Sequence, residues 1–185
     1  MAKIGLKGFR YGIATEAADG TITYGGAKTP GKAISYSEDV SNNDAVLYAD
    51  DAPAESDTSF AGGTATVGID KEDIDVYAEL LGHTVTSGEL VKNTEDTAPY
   101  VGFGRVVTLM VGGVRKYRAK FTAKIKFAEP SADETTKGES TEFGTYELEG
   151  QILAPADGDW QKVKDFETEA AAITYLEGLL GGAES

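Results

Sequence analysis

Residues Arg115–Phe127 read RKYRAKFTAKIKF, with Lys116, Arg118, Lys120, Lys124 and Lys126 alternating with Tyr117, Ala119, Phe121, Ala123, Ile125 and Phe127. A period of two sustained over this length predicts a long β-strand with one apolar and one cationic face. Side chains two apart on a strand lie roughly 7 Å from each other, so such a row of cations repels itself unless carboxylates face it. The rest of the chain is acidic, with a formal net charge of −14 over 185 residues. The cations must therefore be met by the chain's own sheet, by a neighbouring subunit or by a polyanion.

Working outward, Tyr100–Val111 reads as a second long strand, joined to the first by the turn dipeptide Gly112-Gly113. Thr141–Leu153 reads as a third, with Tyr146, Leu148 and Ile152 on one side and Glu147, Glu149 and Gln151 on the other. Glu147 and Glu149 are cross-strand partners for the cations if these strands pair. Two glutamates do not balance five cations, so the remaining anions are expected from a neighbouring subunit, the alternative being simple hydration of an exposed face. Direct binding of a polyanion is disfavoured, because Tyr117, Phe121 and Phe127 sit in the opposite phase from the cations and belong to the core.

Further out, Asp19-Gly20 marks a hairpin turn before a short strand ending at Tyr24, and Lys32–Ser37 alternates with Ile34 and Tyr36 on one face. Glu38–Thr58 is rich in Asp, Ser, Asn and Ala and reads as a long acidic loop, with at most a short strand at Ala45–Ala49. Phe60–Ile69 reads as a strand. Asp70 is the expected N-cap of a helix over 71–81, which Gly82 terminates. Apolar positions 166, 170, 173, 176 and 180 predict a second, C-terminal helix. The whole is mainly β, with scattered glycines suited to turns and a length suited to one domain over 1–185.

Composition narrows function. The 185 residues contain no cysteine and one histidine, His83, which removes thiolate chemistry and makes a zinc site improbable. There is no apolar run near twenty residues and no signal-like h-region in MAKIGLKGFRYG. GFGR at 102–105 and the glycine pairs lack the Lys-Ser/Thr of a phosphate-binding loop. Asp50-Asp51 with Glu55 and Asp57 is a weak calcium candidate, read in preference as a solvated acidic stretch. No catalytic constellation emerges, so no enzyme activity and no cofactor is expected. Charge is segregated, with net values of +3, −13, +7 and −11 over 1–36, 37–99, 100–128 and 129–185.

An ordered series of blocks resembles the major tail (tail tube) proteins of siphophages, specifically the phi13-type group. The blocks are KIGLKGFRYGIA with DGTITYG, Ile34–Asp51 (ISYS through LYADD), LLGHTV at 80–85, PYVGFG at 99–104, and Lys124–Gly150. The resemblance implies a β-sandwich subunit that forms hexameric rings. These stack into the conduit for DNA during genome ejection, with the loop at 38–58 reaching a neighbouring ring. It further implies a virion location in the tail, assembly in the bacterial host cytoplasm, and tape measure, tail terminator and baseplate proteins as partners. DNA would pass without specific binding. Candidate subunit contacts are then Lys116, Arg118, Lys120, Lys124, Lys126, Glu147, Glu149, Leu47, Tyr48, Asp50 and Asp51. A different class of reading is a non-enzymatic β-sandwich module for a carbohydrate or cell-surface ligand, with calcium at the acidic loop and Trp160 as the sole tryptophan for stacking.

Overall fold

The computed structural model describes residues 2–49, 52–132 and 145–182, the side chains of 45–49 and 52–57 excepted. The chain is mainly β and sandwich-like. Its strands are β1 (Ala2–Glu16), β2 (Ile22–Tyr24), β3 (Ala33–Ala49), β4 (Ala52–Ile69), β5 (Thr84–Thr86), β6 (Glu89–Val91), β7 (Tyr100–Val111), β8 (Val114–Phe127), β9 (Tyr146–Ile152) and β10 (Gln161–Phe166). Two helices join them, α1 (Ile74–Leu81) and α2 (Glu169–Leu179). One antiparallel sheet runs β2-β1-β7-β8-β9-β4-β3, with β10 also on β8, and β5-β6 form a separate hairpin.

The sheet folds over its own apolar face. Tyr36 of edge strand β3 stacks on Phe103 of β7 (6.0 Å) and meets Phe9 of β1 edge-on (6.4 Å), so the two ends of the sheet face each other. Between them lie Tyr11, Val67, Ile69, Val101, Ile125, Leu148 and Ile152, all nearly solvent-free, capped by Tyr77, Leu80 and Leu81 of α1. A second cluster occupies the outer side, where Val106, Ala119, Phe121 and Ala123 receive Ala172, Leu176 and Leu180 from the α2 segment. The glycines of the GFG sequence serve this contact. A Cβ on Gly104 would lie 2.9 Å from Leu176 and one on Gly102 2.4 Å from the Tyr24 ring. They admit a helix, not a phosphate.

The single cationic face expected of β8 does not exist. Between Phe103 and Val101 the β7 ladder moves two residues while β8 moves three, from Thr122 to Ile125. This bulge exchanges the faces of β8. Phe121 and Ala123 pack under α2, whereas Ile125 and Phe127 enter the central core. Lys116, Arg118 and Lys120 consequently lie on one side of the sheet and Lys124 and Lys126 on the other. A smaller bulge between Ala33 and Ser35 turns Ile34 outward (47% exposed) while Tyr36 stays in the core, so these two do not share a face.

The expected acidic loop is a hairpin. β3 and β4 pair continuously from Ala33↔Ile69 out to Ala49↔Ala52. Only Gly63–Ile69 of β4 also pair with β9. From Ser41 and Gly62 outward the two strands pair only with each other, an arm of nine residues on β3 and eleven on β4, about 30 Å long. Of the arm's described side chains Phe60, at the root, packs against the core, and the backbone ladder continues outward from there. Phe60 anchors the root by stacking on Trp160 at 4.6 Å, which occupies that tryptophan.

The ends of the helices also differ from expectation. Asp73, not Asp70, caps α1, accepting from the Asp75 N–H. Asp70 instead accepts from the Lys32 N–H at 2.7 Å and ties off the hairpin base. Gly82 ends α1 in the left-handed region (φ 77°), as a C-terminal glycine does. Thr168 caps α2, and the residues before it form β10 rather than a first helical turn. Of the strand expected at 141–153, Tyr146–Ile152 is observed and 141–144 lie outside the described residues.

Candidate assembly surfaces

Of the five alternating cations of β8, Lys116, Arg118 and Lys124 hydrogen-bond carboxylates within the chain. Arg118 binds Asp165 through both Nε (2.7 Å) and Nη2 (2.8 Å), across the β8–β10 pair. Lys116 donates to Glu167 at 2.9 Å, and these hydrogen bonds raise the pKa of both cations. Lys124 is largely buried, donates to Glu16 at 2.5 Å and lies 4.2 Å over the Tyr100 ring. It is part of the fold, not an exposed contact. Lys126 sits 5.6 Å over the same ring. The electrostatic need for a neighbour's anions therefore falls away for Lys116, Arg118 and Lys124.

Glu147 and Glu149 are not the partners of these cations. β8 meets β9 only at Ile125↔Ile152, Lys126↔Gln151 and Phe127↔Gly150, and the two glutamates face β4 instead, opposite Gly68 and Thr66. The sequence reading assigned no strand to 161–165, whereas β10 pairs with β8 there and brings Asp165 opposite Arg118. The signal was present: Lys162, Lys164, Asp165 and Glu167 follow a strand-like KVKDFE, and Asp165 and Glu167 carry the matching charges.

Lys120 is the exception. Its Nζ is 3.8 Å from Glu38 Oε1. The other oxygen of Glu38 already accepts from Arg105 Nη2 (2.8 Å), Gln161 Nε2 (3.0 Å) and the Tyr36 hydroxyl (3.4 Å). Arg105 is only 3% exposed, its guanidinium 3.7 Å above the Tyr36 ring. Burial first, then the charges of Arg105, Lys3 and Arg118, push the Lys120 ammonium below its ordinary pKa, against the pull of Glu38. Two cations share one carboxylate here. Arg105 and Glu38 had no mark in the sequence, because their meeting depends on the fold closing β3 over β7.

The outer side of the β9–β4–β3 half is a second distinctive surface. Its rows are Glu147–Gly68–Ser35, Glu149–Thr66–Ser37 and Gln151–Thr64–Asp39. Glu147, Glu149 and Asp39 are exposed, and among the described residues none has an ion-pair partner. No helix covers these rows, and no cation occupies them.

Leu47 and Tyr48 lie in the β3 arm, Leu47 opposite Glu55 and Tyr48 opposite Pro53, with side chains outside the described set. Asp50 and Asp51 lie outside the described residues, and with them the calcium candidate. Among the described residues no cluster of three or more His, Asp or Glu could hold a metal ion, and no helix is long and apolar enough to cross a membrane. A concavity of 690 Å³ between the Asp19 turn, residues 155–159 and the end of α2 presents acids that are already engaged. Asp19 accepts from the Thr21 N–H and Asp157 from the Asp159 N–H. His83 is held between two carboxylates, Nδ1 to Asp96 (2.7 Å) and Nε2 to Glu129 (2.8 Å). With both ring nitrogens against carboxylates, its hydrogen bonds to Asp96 and then to Glu129 raise its pKa by favouring the protonated ring. No protein-family model matches the chain, and no curated protein matches it in sequence.

Proposed function

We propose that this protein is a structural subunit of a phage-type tail tube, a non-enzymatic chain that assembles into stacked rings around a channel for DNA. The observation that carries the proposal is the β3–β4 arm. Two strands extending about 30 Å beyond any third strand are marginal on their own in water, and an element of this kind gains stability by lying against another molecule. Residues 33–70 contain eight acids and no Lys or Arg, so the arm keeps off other acidic surfaces and selects cationic ones. An arm on one surface and its seat on another make a heterologous contact, the type that generates rings and open filaments.

The bare acidic rows of β9–β4–β3 suit the channel wall. Glu147, Glu149 and Asp39 present carboxylates without cations, a surface that repels phosphate and lets DNA pass without sticking. Negative-stain microscopy of concentrated protein tests the reading. Rings or tubes with a central channel are the expected result, and a strictly monomeric species across ionic strengths and concentrations would refute it.

A further inference from the structure

The charge left over around Lys120 identifies a receptor. Arg105 and Lys120 both lie against Glu38, the one carboxylate paired with them among the described residues, and the charge of Lys3 reaches Lys120. Arg118 on the same side is consumed by Asp165. Lys3 is exposed and has no ion-pair partner among the described residues, and Lys120 retains 21% of its side-chain surface. Beside them on β10, Val163 opposes Lys120 and is 50% exposed. A chain of net charge −14 thus keeps a local surplus of positive charge here, set on the paired strands β7 and β8 beside a buried guanidinium. Water and mobile ions screen such a surplus at the surface, but a carboxylate arriving there displaces them and completes the charge pairing that Glu38 leaves half done.

We infer that Lys120, set at the Arg105–Glu38 pair and opposite Val163, forms with the neighbouring charge of Lys3 the seat for the acidic β3–β4 arm of a second copy of this chain. The inference rests on the assembly reading above and adds to it the surface that receives the arm. Charge selects the occupant. The arm, residues 41–49 and 52–62, carries Asp44, Glu55 and Asp57 and no cation, and a strand pair presents its carboxylates at a fixed spacing. The arm pairs along its whole length and projects away from the sheet that carries the seat, so a second molecule is the donor proposed.

Zero-length carbodiimide coupling of lysine amines to carboxylates, applied to an equal mixture of unlabelled and ¹⁵N-labelled full-length protein, tests this directly. Mixed-isotope links from Lys3 or Lys120 to acids of residues 44–57 are expected. Rings or tubes in which those lysines form no mixed-isotope link to the arm would overturn the seat and leave the tube reading intact. Arm links confined to small soluble oligomers, with no rings or tubes at any concentration, would support the seat and overturn the tube. A protein with no mixed-isotope links at all would overturn both. A charge swap provides the second measurement. Lys3→Glu, on an exposed side chain that leaves the core untouched, should raise the concentration needed for assembly at least tenfold without moving the melting temperature. Lys120→Gln should act in the same direction. Adding Glu55→Lys and Asp57→Lys to Lys3→Glu should restore assembly, and failure of that rescue counts against the pairing.

Discussion

The sheet has two outer faces that were built for opposite purposes. On β1, β7 and β8 the outward positions are Gly102, Gly104, Val106, Ala119, Phe121 and Ala123, small or apolar, and α2 lies in the trough they make. On β9, β4 and β3 the outward positions are Glu147, Glu149, Gln151, Thr64, Thr66, Ser35, Ser37 and Asp39, and nothing among the described residues lies over them. The inner positions of both halves are alike and share one core. One sheet can therefore be a packed wall over half its width and a solvated wall over the other half. Stability should concentrate on the first half and surface function on the second.

The largest test removes what the covered half depends on. Leu176 has no exposed surface and sits against Gly104, so Leu176→Ala should cost about 2–5 kcal/mol through lost burial and an unfilled cavity. Urea unfolding followed by circular dichroism measures it. A loss below about 1 kcal/mol would mean that α2 is an ornament and the contrast between the faces is false.

Next in size is the ion pair that closes β3 over β7. Arg105→Ala strands Glu38 with only Lys120, Gln161 and Tyr36 and opens space above the Tyr36 ring; a cost of about 3 kcal/mol is expected, the lower end for breaking a buried pair. Arg105→Met, which keeps the volume, should lose distinctly less. Equal losses for the two variants would show that charge, not packing over Tyr36, holds the closure.

These two positions show what could be read in advance. The helix α1, the β7–β8 hairpin and the strand ending at Ile152 follow from periodicity and glycine turns, because each buries one face and writes that face into its sequence. The β3–β4 arm and β10 do not. The arm's sequence carries no apolar alternation and its strands pair only with each other, and β10 ends in Phe166, whose packing against Tyr175 of α2 at 5.3 Å gives it the same apolar spacing as the helix. The face exchange in β8 was invisible for a third reason. A one-residue bulge leaves the sequence pattern of RKYRAKFTAKIKF intact while moving Ile125 and Phe127 to the other side of the sheet. Of the candidate contacts, Lys120 shares Glu38 with Arg105, Glu147 and Glu149 face β4, and Lys124 is buried against Glu16.

A smaller effect belongs to neither face and provides a control. His83, the sole histidine, has a folded-state pKa above its ordinary value because Asp96 and Glu129 hold its protonated ring. A raised pKa means the protonated ring binds its proton more tightly when folded. Its contribution to stability is complete below the unfolded value of about 6.5 and disappears as pH rises through the higher folded value. Asp96 is shifted down, so its contribution is lost only in acid, as pH falls through its lowered folded pKa. The melting temperature should fall by a few degrees as pH rises above about 6.5, and His83→Asn should remove that slope. The single imidazole resonance, followed by NMR, must titrate above the ordinary histidine value; titration at or below it contradicts the clamp.

The smallest effect on stability is expected where the effect on function should be clearest. Glu147 and Glu149 are exposed, face Gly68 and Thr66, and have no ion-pair partner among the described residues, so Glu147→Lys with Glu149→Lys should change unfolding free energy by no more than about 0.5 kcal/mol per site. The same pair of changes moves the charge of that face by four units, from carboxylates that repel phosphate to ammonium groups that hold it. Assembled variant protein should retain double-stranded DNA in a sedimentation assay, with binding that falls steeply as salt is raised, while the unaltered protein retains none. The reversal at Lys116, which already shares its charge with Glu167 on the other side of the sheet, should leave DNA retention unchanged. If reversing Lys116 alters retention as much as reversing the two glutamates, the DNA-facing wall is not the β9–β4–β3 surface, and the division of labour between the two halves of the sheet is wrong.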